Sequence, residues 1–135
     1  MLINRATEYA VIGLMYLAKN PDVPVDINKI AKDEKIRPSY LEKTFQKLSE
    51  SKIVKPKFGP GGGFMLSKDP QKVTIFDLIK IFQAKQMHQC LNFKDRDCGR
   101  KSWCPFRCVL NEAKDILYTY FKKKTIQDLI DNSNK

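Results

Sequence analysis

The chain has 135 residues, enough for one domain around one modest core. Its hydrophobic content of 42% is that of an ordinary globular protein, and no apolar run reaches the roughly 18 residues that would make it a membrane-spanning chain. A formal net charge of +10 fits a polyanionic partner, nucleic acid ahead of an anionic membrane, and argues against an acidic electron carrier.

The first stretch, MLINRATEYAVIGLMYLAK, is interrupted by Glu8 and lacks a small-residue cleavage site. It reads as an amphipathic helix rather than a signal peptide, which places the chain in the cytoplasm. Residues 5 to 19 form the predicted first helix, with Ala6, Tyr9, Ala10, Gly13, Leu14 and Leu17 recurring at steps of three and four, and Asn20-Pro21 ending it. Val25 opens a short extended link. Asp26 is the expected N-cap of a second helix over 27 to 34, with Ile27, Ile30 and Ala31 inward. Ile36-Arg37-Pro38-Ser39 is a turn, and Ser39 with Glu42 forms an expected capping box for a third helix that runs to about Ser51. Leu41, Phe45 and Leu48 are its expected buried face.

The period then changes. Residues 53 to 58 and 64 to 66 read as two strands around Gly59-Pro60-Gly61-Gly62-Gly63, a β-hairpin with a glycine-rich tip. Thr74 is expected to cap a helix over 75 to 82. A fifth helix starts near Pro105 and carries Val109, Leu110, Ala113, Ile116, Leu117, Tyr120 and Phe121 as an apolar stripe, whose length favours dimerisation over packing inside one subunit. Thr125 caps a last short helix with Ile126, Leu129 and Ile130. The expected architecture is mainly α with one small β-hairpin: a winged helix-turn-helix followed by a long C-terminal dimerisation helix. Its divisions are 1–83 for the winged DNA-binding region, 84–104 for a cysteine loop and 105–135 for the dimerisation helix and tail.

Three helices followed by a hairpin place the third helix in a DNA major groove, its N-terminal residues nearest the base edges. Between Lys35 and Lys57 seven cations stand against two acids. Arg37 suits guanine, Ser39 and Tyr40 suit phosphate or bases, and Lys43 and Lys47 suit phosphates. Lys55 and Lys57 flank the wing, and Gly61 and Gly62 allow its backbone to approach phosphate or the minor groove. Taken singly, SYLEKTFQKL is an ordinary amphipathic helix and GPGGG an ordinary turn. Their order within thirty residues, with the basic excess, points to duplex DNA.

All four cysteines fall within nineteen residues, as C-x7-C-x5-C-x3-C from Cys90 through Cys98 and Cys104 to Cys108. The intervening LNFKDRD, GRKSW and PFR are polar and charged. In a reducing compartment such a cluster points to metal or redox chemistry rather than to disulfides. Thiolates suit zinc, Cu(I) or an iron–sulfur cluster. Structural zinc favours tight cysteine pairs, which only Cys104 and Cys108 offer; the long, open spacing suits the larger iron–sulfur cluster better. Nothing supports an enzyme: there is one histidine, His88, with no Ser/His/Asp set, P-loop or C-x-x-C. A zinc site or thiol redox switch on a winged-helix regulator is the alternative.

The segments RATEYAV at 5 to 11, IRPSYLEK at 36 to 43 and GPGGGF at 59 to 64 resemble the IscR/NsrR/RirA family of winged-helix transcriptional regulators. The resemblance covers about residues 1 to 130 and is nearest the NsrR and RirA branches. It implies a homodimer on a palindromic duplex operator, and an iron–sulfur cluster, [4Fe–4S] ahead of [2Fe–2S], held by Cys90, Cys98 and Cys104. It also implies a fourth ligand from helix one of the partner subunit, at the position Glu8 occupies. Cys108 is the next candidate for that place, and His88, solvent or a small molecule follow. Arg107 stands where IscR-like members carry a ligating histidine. Trp103 is expected to pack over the cluster. Phe58 stands where the family often has Arg or Lys before the wing's first glycine, so Lys57 or the glycine backbone would take over minor-groove contact.

Overall fold

The computed structural model describes residues 3–84 and 104–133. The elements run α1 (Arg5–Lys19), α2 (Ile27–Glu34), α3 (Pro38–Glu50), β1 (Val54–Lys57), β2 (Gly63–Leu66), a 3-10 turn (Pro70–Lys72), α4 (Ile75–Gln83), α5 (Pro105–Lys122) and α6 (Ile126–Ser133).

The first two helices each begin where a polar side chain takes an orphan backbone donor. Asn4 accepts from the Thr7 N–H to start α1, and Asp26 accepts from the Asn28 N–H to start α2. The turn into α3 hinges on Lys35, a non-glycine residue in left-handed geometry (φ 55°), whose N–H and that of Ile36 both reach back to the Ala31 carbonyl. The expected capping box of Ser39 and Glu42 does not form. Pro38 already has the fixed φ that suits the first helical position, so α3 starts there, with Arg37 as its N-cap and no side-chain cap bond. Ser39 is therefore inside the first turn. Thr74 does cap α4, in a full capping box with Asp77, and Thr125 with Asp128 repeats the arrangement at α6.

The core lies where α1, α3, α4 and α6 meet. Leu14, Leu17, Ile30, Leu41, Phe45, Leu48, Leu78, Ile79 and Ile126 are fully buried or within 2% of it. Gly13 sets the spacing of α1 and α3, because a Cβ there would stand 2.7 Å from the Phe45 ring. β1 and β2 pair antiparallel from Val54–Leu66 to Lys57–Gly63. Val25 extends this pair, exchanging backbone bonds of 3.0 and 2.9 Å with Phe64, so the wing is sewn to the segment between α1 and α2.

At the other side, Thr74 bridges Thr125: the Ile75 N–H donates to the Lys124 carbonyl and the Ile126 N–H to the Val73 carbonyl, both at 2.9 Å. This clamp returns the chain to the head, and Ile126 and Ile130 of α6 complete the core. α5 packs on α4, with the Phe76 and Tyr118 rings 5.1 Å apart. Its apolar stripe is not a single face. Leu110, Leu117 and Phe121 are partly buried, whereas Phe106, Val109, Ala113, Ile116 and Tyr120 are exposed, Ile116 to 71%. The exposed set recurs at steps of three, four, three and four, the spacing of a coiled-coil seam.

Candidate nucleic-acid interface and cysteine site

The N-terminal turn of α3 is open to solvent. Arg37, Ser39, Tyr40, Lys43 and Lys47 are all exposed, on the face away from buried Leu41, Thr44, Phe45 and Leu48. Arg37 is not a loose arm: its guanidinium lies 5.4 Å from the Tyr40 ring centroid. Tyr40 in turn stacks on Tyr9 of α1, with centroids 6.1 Å apart and planes within 13°. This ladder holds the first residues of the recognition helix against α1. The sequence marks Tyr9 only as a core residue, and its stacking role has no sequence signal, since it depends on the α1–α3 crossing. Arg5, Tyr9, Tyr40, Lys43, Lys47 and Phe82 also line an open cleft of about 420 Å³ between α1, α3 and α4. Lys47 holds its ammonium 5.8 Å over the Phe82 ring.

In the wing, Lys55 and Lys57 are exposed. Gly61 has φ +73° with open space where a side chain would be. Gly62 is closed in: a Cβ there would meet the Lys57 carbonyl oxygen at 2.2 Å, and its N–H donates to the Gly59 carbonyl at 3.0 Å. Its glycine thus serves the turn, and that N–H is engaged within it. Phe58, at the base of the tip, is 88% exposed.

Of the expected cluster residues, Cys90, Cys98 and His88 lie outside the described residues, as does Trp103. Cys104 is the N-cap of α5, half-buried, and Cys108 lies exposed in the first turn; both are free thiols. Glu8 stands in the first turn of α1 with its carboxylate 3.2 Å from Arg5, in an ion pair largely open to solvent. Among the described residues no three His, Cys, Asp or Glu side chains converge on one point. The soft thiol donors present fit an iron–sulfur cluster or zinc, and an exposed first-turn carboxylate is accessible to a second chain.

The sequence from residue 3 to 132 matches the family model described as Rrf2, iron-dependent transcriptional regulator. The chain belongs to the Rrf2 family. It is similar to a protein of Aquifex aeolicus named "Putative HTH-type transcriptional regulator", with 35% identity over all of this chain and 95% of that one. It is 28% identical to the HTH-type transcriptional regulator NsrR of Bacillus licheniformis, over 99% and 95% of the two chains. The fold matches that of CymR, the global cysteine regulator of Bacillus subtilis, with a TM-score of 0.79 at 21% identity, over 96% of each chain. The Rrf2 chain is therefore a DNA-binding transcriptional regulator and not an enzyme. Its winged helix-turn-helix is that of the family, and among the described residues no helix is long and apolar enough to cross a membrane.

Proposed function

We propose that the protein is a cytoplasmic, homodimeric regulator, a repressor, whose grip on a palindromic operator is switched by an iron–sulfur cluster. Arg37, Ser39, Tyr40, Lys43 and Lys47 would enter the major groove, and Lys55, Lys57, Gly61 and Gly62 would follow the backbone beside it. Half-sites would lie one or more helical turns apart, matching the two-fold axis of the dimer. The exposed seam of Phe106, Val109, Ala113, Ile116 and Tyr120 supports dimerisation through α5, since a second copy of the same stripe is its natural cover.

The observation that carries the switch is the clustering of all four cysteines in the sequence after the DNA-binding head, from Cys90 to Cys108 at the start of the seam helix, in a chain of a family described as iron-dependent. Cys90, Cys98 and Cys104 would hold the cluster, [4Fe–4S] ahead of [2Fe–2S], and Glu8 of the partner subunit would complete it, with Cys108 the alternative. When bound, such a cluster supplies a centre sensitive to nitric oxide, oxygen, peroxide or iron supply. Glu8 would have to exchange Arg5 for the partner's site. Because Glu8 precedes Tyr9 on α1, and Tyr9 stacks on Tyr40, its engagement bears on the recognition helix.

Protein purified without oxygen is expected to be brown, with iron and sulfide bound and a visible charge-transfer band that Cys98→Ala abolishes while the dimer persists. Colourless protein holding stoichiometric zinc after anaerobic reconstitution would refute the cluster. It would favour the alternative, a zinc site or thiol redox switch, for which the two free thiols at Cys104 and Cys108 already have suitable spacing.

A further inference from the structure

We propose that Gln83 is the positioning residue that conveys the state of the cysteine segment to the recognition helix. Gln83 ends α4 and is 6% exposed. Its side-chain oxygen accepts from the Asn4 N–H at 3.0 Å and lies 2.8 Å from the Thr7 hydroxyl, across separations of 79 and 76 residues. Thr7 is fully buried, and its hydroxyl also lies 2.8 Å from the Asn4 side-chain oxygen; its single proton serves one of the two oxygens at a time. Asn4 completes the lock by donating from Nδ2 to the Phe82 carbonyl at 3.0 Å. The last turn of α4 and the N-cap of α1 thus satisfy each other's orphan groups, the Phe82 carbonyl and the Asn4 N–H.

The position of this lock gives it meaning. Cys90 follows Gln83 by seven residues, so the cysteine segment starts from the end of α4. On the other side stands α1, whose N-cap is Asn4 and whose next turn carries Glu8 and Tyr9. Tyr9 stacks on Tyr40, and Tyr40 carries Arg37. Phe82, beside Gln83, holds Lys47 over its ring. A shift in the direction in which the chain leaves α4 therefore acts on the α1 cap through Gln83, and on the base-reading end of α3 through the aromatic ladder. Loosely packed helix ends would absorb the same shift. A buried amide oxygen that accepts from the Asn4 N–H and shares the Thr7 hydroxyl proton does not.

The inference rests on the proposed switching of DNA affinity by the cysteine segment, though not on which metal it holds. The test measures binding to a duplex selected from random sequence by the wild-type protein. Each protein is compared in its metal-free reduced state with three others: reconstituted with iron and sulfide, loaded with zinc, and alkylated with N-ethylmaleimide. Wild type is expected to change affinity by roughly 5- to 150-fold in at least one of these states. Gln83→Leu, which removes the acceptor, is expected to bring that ratio to within about twofold of one while keeping the bound metal and specific DNA binding. Gln83→Glu retains the accepting oxygen and is expected to restore the ratio, which a merely stabilising role would not require. Should Gln83→Leu fail to fold, Thr7→Val removes one donor and is expected to lower the ratio part of the way. An unchanged ratio in Gln83→Leu overturns the inference and leaves the cluster reading standing. A wild-type response to zinc or alkylation but not to iron and sulfide, abolished by Gln83→Leu, removes the cluster and keeps the inference. Wild-type affinity that is the same in all four states overturns both.

Discussion

Gly63 is where the wing can be detached from the head by one methyl group. Its φ is +154°, and a Cβ there would stand 2.3 Å from the Val25 carbonyl oxygen, 2.4 Å from the Val25 carbonyl carbon and 2.8 Å from the Asp26 nitrogen. All three are backbone atoms and have no rotamer by which to yield. Gly63→Ala must therefore open the Val25–Phe64 bridge, with its bonds of 3.0 and 2.9 Å. Two backbone bonds contribute about 1–3 kcal/mol together, and the unfavourable φ adds roughly 1–3 kcal/mol. The expected destabilisation is about 2–6 kcal/mol. Gly61→Ala is the internal control: Gly61 also has positive φ, +73°, but nothing lies within 4 Å of its added Cβ. It should cost only the conformational part, about 1–2 kcal/mol. Urea unfolding followed by circular dichroism reads both. If Gly63→Ala is no more destabilised than Gly61→Ala, the bridge does not anchor the wing and the reasoning fails.

Lys43→Ala and Lys47→Ala should each flatten the dependence of log K on log salt, by about 0.9 for each phosphate the lysine neutralises, and an unchanged slope removes that lysine from the interface. Ile116→Asp places a carboxylate on the exposed stripe of α5; with one from each copy of the proposed dimer, and a desolvation cost of several kcal/mol per unpaired charge, sedimentation should show monomer where wild type is expected to sediment as a dimer. A dimer of wild-type strength would move the interface elsewhere. Phe58→Ser, at a side chain 88% exposed, should leave stability within about 0.5 kcal/mol yet weaken operator binding if the wing meets DNA there; equal affinity would free Phe58 from that role. Burial pushes the Asp77 carboxyl up, but the Thr74 backbone and hydroxyl, with Lys80 and Lys68 nearby, outweigh it and leave the group below its ordinary 3.8. A lowered folded value stabilises fully above the unfolded one and is lost as pH falls through the folded one. Stability should therefore decline below about pH 4, and Asp77→Asn should show a shallower decline in urea midpoint between about pH 5 and pH 2.

Much of the head is legible in the sequence because its signals are local. Asn20-Pro21, Asp26 and Thr74 act within a few residues of themselves, and the predicted ends of α1 and α2 coincide with those observed. Ser39 misleads for a local reason as well: two start signals overlap, and Pro38 acts one residue earlier. What cannot be read depends on distant pairs. The stacking of Tyr9 on Tyr40 follows from a crossing that Gly13 permits, and the Asn4–Gln83 bond joins polar residues with no shared pattern. The α5 stripe is visible as apolar, but its division into a head-facing and an exposed set requires the position of α4. Cys104 and Cys108 stand at the helix start that Pro105 announces, while the fourth ligand expected at Glu8 belongs to a pairing of two chains.

The Thr74–Thr125 clamp has a consequence for how the protein is made. Among the described residues, Ile126 and Ile130 fill a core whose other buried apolar side chains all precede Gln83, so they leave the ribosome after the rest of that core. The DNA-binding head therefore stays incomplete until the cysteines and the seam have also been synthesised. A nascent chain stalled before α6 carries the recognition helix without a finished scaffold to hold it. Each molecule thus finishes its DNA-binding head only after the segment proposed to regulate it exists, and a product truncated before α6 is expected to bind operator poorly.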